Sequence, residues 1–207
     1  MKSVHQEVVK RIGALKPGSI LFPTDFRGIG TDDAIKKALS RLVRGSMLER
    51  LAHGIYFVPK NHPTFGKLYP SLEEVAEAVA EHEHVRIRPA GAYALNKLGL
   101  STQVPTRQVY ITDGQARQIK VGKGGIKFKP TTPKKFGMKG PISSLVIQAL
   151  EELNLSQITP EMATRIRELL DKETPENLME DIKLASAKVN DMLIHLYFKS
   201  RKNDRMA

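Results

Sequence analysis

Apolar residues recur at helical spacing in the first third of the chain. Val4, Val8, Ile12 and Leu15 fall on one face and predict an amphipathic helix over residues 3–15. Lys16-Pro17-Gly18-Ser19 stops it, because proline breaks the hydrogen-bond ladder and glycine permits the turn. Ile20-Leu21-Phe22 is a short apolar link, and Thr24-Asp25-Phe26 has the chemistry to cap a brief second helix. After the turn Gly28-Ile29-Gly30, Thr31 is placed to N-cap a third helix, with Asp32 and Asp33 favoured by its dipole. Ile35, Leu39, Leu42 and Val43 form its apolar face; Lys36, Lys37, Ser40, Arg41 and Arg44 lie largely opposite, and Gly45 ends it. Met47–Leu51 and Ile55–Val58 then read as two strands joined through Ala52-His53-Gly54, a hairpin with Arg50 and His53 near its tip. Residues 1–60 thus have the pattern of a winged helix-turn-helix.

Asn61-His62-Pro63-Thr64-Phe65-Gly66 is polar and carries both proline and glycine, which predicts a linker over 61–70. Ser71-Leu72-Glu73-Glu74 is a capping box for a helix running to about Glu83, and Ala90–Leu98 reads as another. Val109–Thr112, Arg117–Val121 and Ile126–Lys129 alternate like strands, with Asp113-Gly114 and Gly124-Gly125 supplying turn chemistry. Period-two alternation makes Lys127 and Lys129 project together. Ile142–Leu153, Pro160–Leu170 and Glu176–Phe198 are helical in pattern, and the polar tail Lys199–Ala207 is expected to fray. The expected fold class is α+β: a winged helix-turn-helix, then over 71–207 a mixed α/β domain with a small antiparallel sheet and several helices.

Charge changes this picture most. The 207 residues carry a net charge of +11, which favours a polyanionic partner or an anionic surface. The excess is uneven: +6 in residues 1–60, −4 in 61–84, +11 in 85–140 and −2 in 141–207. Between Arg86 and Lys139 stand twelve Lys or Arg and one acid, Asp113. A helix buried on one side and cationic on the other suits insertion into the major groove of double-stranded DNA. On that reading Lys36, Lys37, Ser40, Arg41 and Arg44 enter or flank the groove, and Arg50 and His53 reach phosphate or the minor groove. The residues Arg86, Arg88, Arg107, Arg117, Lys120, Lys123, Lys127 and Lys129 form a candidate second basic surface. Lysines without interleaved aromatics suit phosphate contact better than base stacking, and an acidic protein or plain solvent remains an alternative there.

Catalytic patterns are missing. Gly122-Lys123-Gly124-Gly125 lacks the spacing of a phosphate-binding loop and precedes a strand, so it reads as a hairpin turn. His82 and His84 diverge by about 200° on a helix, with no third ligand arranged near them, so no metal site is expected. His195, in the apolar run 193–198, reads as a core or interface residue. There is no cysteine, hence no disulfide, thiolate ligand or cysteine nucleophile, and no serine sits in a nucleophile elbow. Neither an enzyme nor a cofactor is expected. With no spanning-length apolar run and no secretory signal pattern, a cytoplasmic protein without membrane contact is expected.

Two segments resemble a known family. Asp25-Phe26 through Ala38-Leu39-Ser40-Arg41-Leu42-Val43, then Leu51-Ala52-His53-Gly54-Ile55-Tyr56-Phe57-Val58-Pro59-Lys60, resemble the AbiEi-type antitoxins of bacterial type IV toxin–antitoxin and abortive-infection systems. The run Pro89-Ala90-Gly91-Ala92-Tyr93-Ala94-Leu95-Asn96-Lys97-Leu98-Gly99-Leu100, followed by Val109–Gly114, is similar to that family's second domain. The likeness covers about residues 5–130. It implies a repressor acting on its own operon at inverted repeats, whose second domain counters a nucleotidyltransferase-like toxin, functionally if not by stable binding. Two other classes stay open: a winged-helix protein-interaction module without specific DNA binding, and a nucleic-acid-processing enzyme.

Overall fold

The computed structural model describes residues 3–199, so the tail expected to fray lies, from residue 200 on, outside the described residues. Helices and small sheets alternate in an α+β arrangement. The chain divides into two compact units: residues to 79 with 119–124, and residues 80–118 with 125 onward.

The first unit opens with α1 (Val4–Gly13), capped by a reciprocal box in which Ser3 Oγ accepts from Gln6 N–H and the Gln6 amide oxygen accepts from Ser3 N–H. The two-residue strand β1 (Ile20–Leu21) follows, then a single 3₁₀ turn, Pro23–Phe26, where a brief helix is expected. Asp25 closes that turn by accepting from Phe22 N–H at 2.7 Å. Helix α2 (Asp32–Arg44) packs on α1, and Val8, Ile12, Phe26, Ile35, Leu39, Leu42 and Leu48 make a closed core. Gly30 lets the helices approach, since a Cβ there would come within 2.6 Å of Val4 Cγ2. Strands β2 (Glu49–Ala52) and β3 (Ile55–Phe57) form an antiparallel hairpin, and β1 joins its far side in the order β1-β3-β2. The sequence places a linker at 61–70; the structure has a second hairpin there, β4 (Lys60–His62) and β5 (Gly66–Leu68). Glu49 ties it to β2, pairing with Lys67 and accepting from the Tyr69 hydroxyl at 3.0 Å.

Helix α3 (Leu72–Glu83) carries the expected capping box: Ser71 Oγ accepts from Glu74 N–H and Glu74 accepts from Ser71 N–H. A four-stranded sheet follows, of β6 (Ile87–Ala90), β7 (Arg107–Thr112), β8 (Arg117–Val121) and β9 (Gly124–Pro130), in the order β6-β7-β9-β8. The pairing of β6 with β7 is antiparallel, as expected, whereas β7 and β9 pair in parallel, from Arg107 opposite Gly125 to Thr112 opposite Pro130. Asp113-Gly114 is therefore no hairpin turn: β9 lies between β7 and β8. The hairpin turn that is present is Gly122-Lys123, with Gly122 at φ +55°. Strand β6 takes Pro89-Ala90, so the next helix, α4, spans Gly91–Lys97.

After the short α5 (Pro133–Phe136), helices α6 (Pro141–Glu151), α7 (Pro160–Leu170), α8 (Pro175–Leu184) and α9 (Ala187–Leu193) enclose the larger core. The single helix expected over 176–198 breaks at Ala185-Ser186, where Ala185 is extended and Ser186 starts α9; a π-helical turn then runs Ile194–Lys199. The start of α6 is closed by two buried carboxylates from later in the chain. Asp181 accepts from Lys139 N–H (2.7 Å), Gly140 N–H (2.9 Å) and the Ser143 hydroxyl (2.5 Å). Glu173 accepts from the N–H groups of Ile142 (2.9 Å) and Ser143 (3.2 Å). These are the orphan donors of a helix start, and meeting them is what lets both acids be buried.

Candidate nucleic-acid interface

Helix α2 begins where Thr31 Oγ1 accepts from Ala34 N–H at 3.3 Å. Ile35, Ala38, Leu39 and Leu42 are buried, which fixes the rotation of the helix. At about 100° per residue, Lys36, Lys37, Ser40, Arg41 and Arg44 then lie roughly 100–240° from Ile35, centred opposite the buried stripe. All five are exposed, and none forms a hydrogen bond or ion pair through its side chain among the described residues. From Lys37 to Arg44 the face is about 10 Å long at 1.5 Å per residue, close to the width of a major groove. Exposed Asp33 falls on the same face one turn earlier, so the cationic part begins at Lys36.

The β2–β3 hairpin turns through His53-Gly54, with Gly54 at φ +71°, a conformation that suits glycine. The register shifts between Arg50 and Ala52, leaving Leu51 as a bulge. Arg50 is exposed and folds over the turn: its Nη2 lies 3.0 Å from His53 Nδ1, and its Nε donates to Ala52 O at 3.3 Å. A guanidinium only donates, so Nδ1 accepts and the imidazole offers Nε2 outward. This coupling of Arg50 to His53 has no signal in the sequence beyond their spacing.

Residues of the candidate second basic surface separate into two groups. Arg86 donates to Asp113 twice, through its backbone N–H and its Nε, both at 2.7 Å. Those bonds hold the Asp113 carboxyl below its usual range. Arg88 is half-buried and donates to the carbonyls of Lys135 (3.0 Å) and Met138 (2.8 Å), with its guanidinium 5.6 Å from the Phe136 ring centre. Burial lowers the Arg88 pKa from its ordinary value. Arg117 pairs with Glu83, and Lys129 with Glu152 at 2.6 Å. Arg107, Lys120 and Lys123 are exposed and Lys127 half-buried, none with an ion-pair partner among the described residues. Lys120 and Lys123 count with the first unit and Arg107 and Lys127 with the second.

Other motifs find plain places. His82 lies on α3, while His84 follows it at φ +54°, so the two do not share a helix face. No group of three His, Cys, Asp or Glu able to hold a metal occurs among the described residues. His195 is exposed, so of the two expected places, core or interface, the core is ruled out: Leu193 and Tyr197 on either side of it are the buried residues. No helix among the described residues is long and apolar enough to cross a membrane.

These features define a class: an α+β protein of two units, one of which presents an uncompensated cationic helix beside a hairpin. The chain belongs to a family of unknown function (DUF6088), whose model matches residues 7–178. No curated protein matches it.

Proposed function

We propose that the protein is a DNA-binding transcriptional regulator whose first unit is a winged helix-turn-helix, with α2 as reading helix and the β2–β3 hairpin as wing. The observation that carries this reading is the exposed face Lys36, Lys37, Ser40, Arg41 and Arg44, cationic and without internal partners, opposite a stripe that fixes its direction. Side chains that neither pack nor pair are available to a ligand, and their spacing suits one groove of duplex DNA. Helix, short strand, one tight turn, helix and hairpin occur in the order this motif uses. Asp33, at the start of the face, would meet a cytosine amino group better than a phosphate.

The role of the second unit rests on the resemblance to AbiEi-type antitoxins. It is proposed to counter a nucleotidyltransferase-like toxin encoded with it, and the first unit to repress that shared operon. No reaction and no cofactor are proposed for either unit.

The test is binding to the DNA upstream of the gene, across a salt series, against scrambled DNA of equal length. Preference for the upstream DNA with log K falling linearly in log salt is expected. If Lys36, Lys37, Arg41, Arg44 and Arg50 each met a phosphate, the slope would be about −4 to −5 per protein bound. Weak binding equal on both DNAs would overturn the reading and leave a protein-docking module.

A further inference from the structure

Three basic side chains surround a cavity of the second unit that the DNA reading leaves without a role. The cavity holds about 400 Å³ and is lined by Arg88 and Pro89 of β6, Lys97 of α4, Lys139, and Pro141, Ser144 and Leu145 at the start of α6. That volume lies in the range of small-molecule sites.

We infer that this cavity binds a small phosphorylated organic molecule. Arg88 is its fixed element. Its two hydrogen bonds to the Lys135 and Met138 carbonyls orient the guanidinium and occupy two of the five N–H donors such a group carries. Partial burial weakens competition from water, so a dianion beside this guanidinium is favoured more than on an open surface. Lys139 pairs with Glu180 at 2.7 Å, but both side chains are more than half exposed, so an incoming phosphate can replace the carboxylate at little cost. Lys97 of α4 also lines the cavity; it is exposed, with its Nζ 5.8 Å from the Tyr93 ring centre. The amides at the start of α6 contribute nothing, since Glu173 and Asp181 already occupy them. Pro89, Pro141 and Leu145 give the remaining wall an apolar character that inorganic phosphate would not use and a carbon skeleton would. Walls from three elements that include Pro89, Pro141 and Leu145 suit a small molecule with a carbon skeleton better than a bare phosphate backbone.

The experiment is isothermal titration of the full-length protein with glycerol phosphate and with inorganic pyrophosphate, repeated with Lys97→Glu and Lys139→Glu. Both residues are exposed, and Lys139→Ala, which sets no carboxylate against Glu180, is run beside Lys139→Glu; each variant is expected to keep the wild-type circular dichroism spectrum without ligand. Saturable one-to-one binding of glycerol phosphate is expected, weakened at least tenfold in either charge-reversal variant; binding of pyrophosphate alone would overturn the organic character of the ligand. An unbranched duplex of random sequence is titrated in parallel, and competition between it and the probe would assign these cations to nucleic acid instead. No saturable heat with either probe, or equal affinity in wild type and both variants, would overturn the inference. Because α2 takes no part, upstream-DNA binding by the wild type can fail or succeed independently.

Discussion

Removing the carboxylate of Asp181 should unfold the start of α6. Asp181 is 1% exposed and accepts three hydrogen bonds, from Lys139 N–H, Gly140 N–H and the Ser143 hydroxyl. In Asp181→Ala the hydroxyl can turn to Gly140 O or Glu173 Oε2, each now 3.5 Å away, but the two amides have no substitute acceptor. An unmet buried donor costs about 1–3 kcal/mol, and removing one partner from a buried charged set costs about 3–5 kcal/mol. Relief from burying the charge offsets part of the amide cost, and the network around Ser143 adds to it. We expect a loss of about 3–5 kcal/mol, with Asp181→Asn intermediate because one oxygen still accepts. Asp191→Ala removes the same charge from an exposed position and should fall within about 0.5 kcal/mol of wild type. Urea unfolding followed by far-ultraviolet circular dichroism reads the total. Hydrogen exchange localises the loss to residues 141–150, which matters because two units need not unfold as one. A loss below about 1 kcal/mol, or one matching Asp191→Ala, would refute the role given to Asp181.

Three further outcomes follow from the same geometry. Burial acts to raise the Glu173 pKa, but N–H donors from Ser143, Ile142 and Thr174, with the Asn177 side chain, outweigh it and hold the carboxyl below its ordinary 4.5. Such a group adds stability that is full above the unfolded value and is lost as pH falls through the lower folded one. Glu173→Gln should therefore be less stable at neutral pH and change less on acidification below about pH 4.5; an unchanged acid profile would contradict this. Gln148 is 1% exposed and its amide nitrogen has no partner among the described residues, so Gln148→Met, similar in volume, should raise stability by about 1–3 kcal/mol in a thermal melt. Arg41→Ala should weaken upstream-DNA binding by about 1–3 kcal/mol if it pairs with a guanine, and unchanged affinity removes Arg41 from the reading helix.

What could be read from the sequence is what is decided locally. Thr31, the apolar stripe and Gly45 mark α2 within fifteen residues, so its exposed face is legible before any fold is known. Strand β6 is not, because the alternation Val85-Arg86-Ile87-Arg88 is only four residues long before Pro89 interrupts it, and its partner β7 begins seventeen residues after Ala90. Asp113-Gly114 misleads for the same reason: its local chemistry suits a hairpin, but the parallel pairing of β7 with β9 is decided across the sheet, and Asp113 instead anchors Arg86. Ala185-Ser186 breaks the last helix without proline or glycine, so only the side-chain preference of Ser186 for a helix start hints at it. Glu173 and Asp181 look like ordinary exposed acids, since the amides around the start of α6 that they satisfy lie 30 to 42 residues away.

The same separation decides which positive charges are available. The stretch 85–140 is the most basic in the sequence, yet among the described residues folding engages at least seven of its twelve cations, Lys97 over the Tyr93 ring among them. Arg86 meets Asp113, Arg117 meets Glu83, Lys129 and Lys135 meet Glu152 and Glu151, Lys139 meets Glu180, and Arg88 is held by carbonyls. Four of those five acids lie outside the stretch, in flanking segments whose net charge is negative, so the imbalance in sequence is partly cancelled in space. Helix α2 carries fewer cations, and none of Lys36, Lys37, Arg41 and Arg44 is cancelled in this way. Cation density along the chain therefore points to 85–140, whereas unpaired cations on one rigid face point to α2. A polyanion responds to the second quantity, because an ion pair already made must be broken before its cation can release a counterion from DNA. The salt slope should accordingly fall by about 1 in Lys37→Ala and stay unchanged in Lys129→Ala, and the reverse order would move the DNA contact to the second unit.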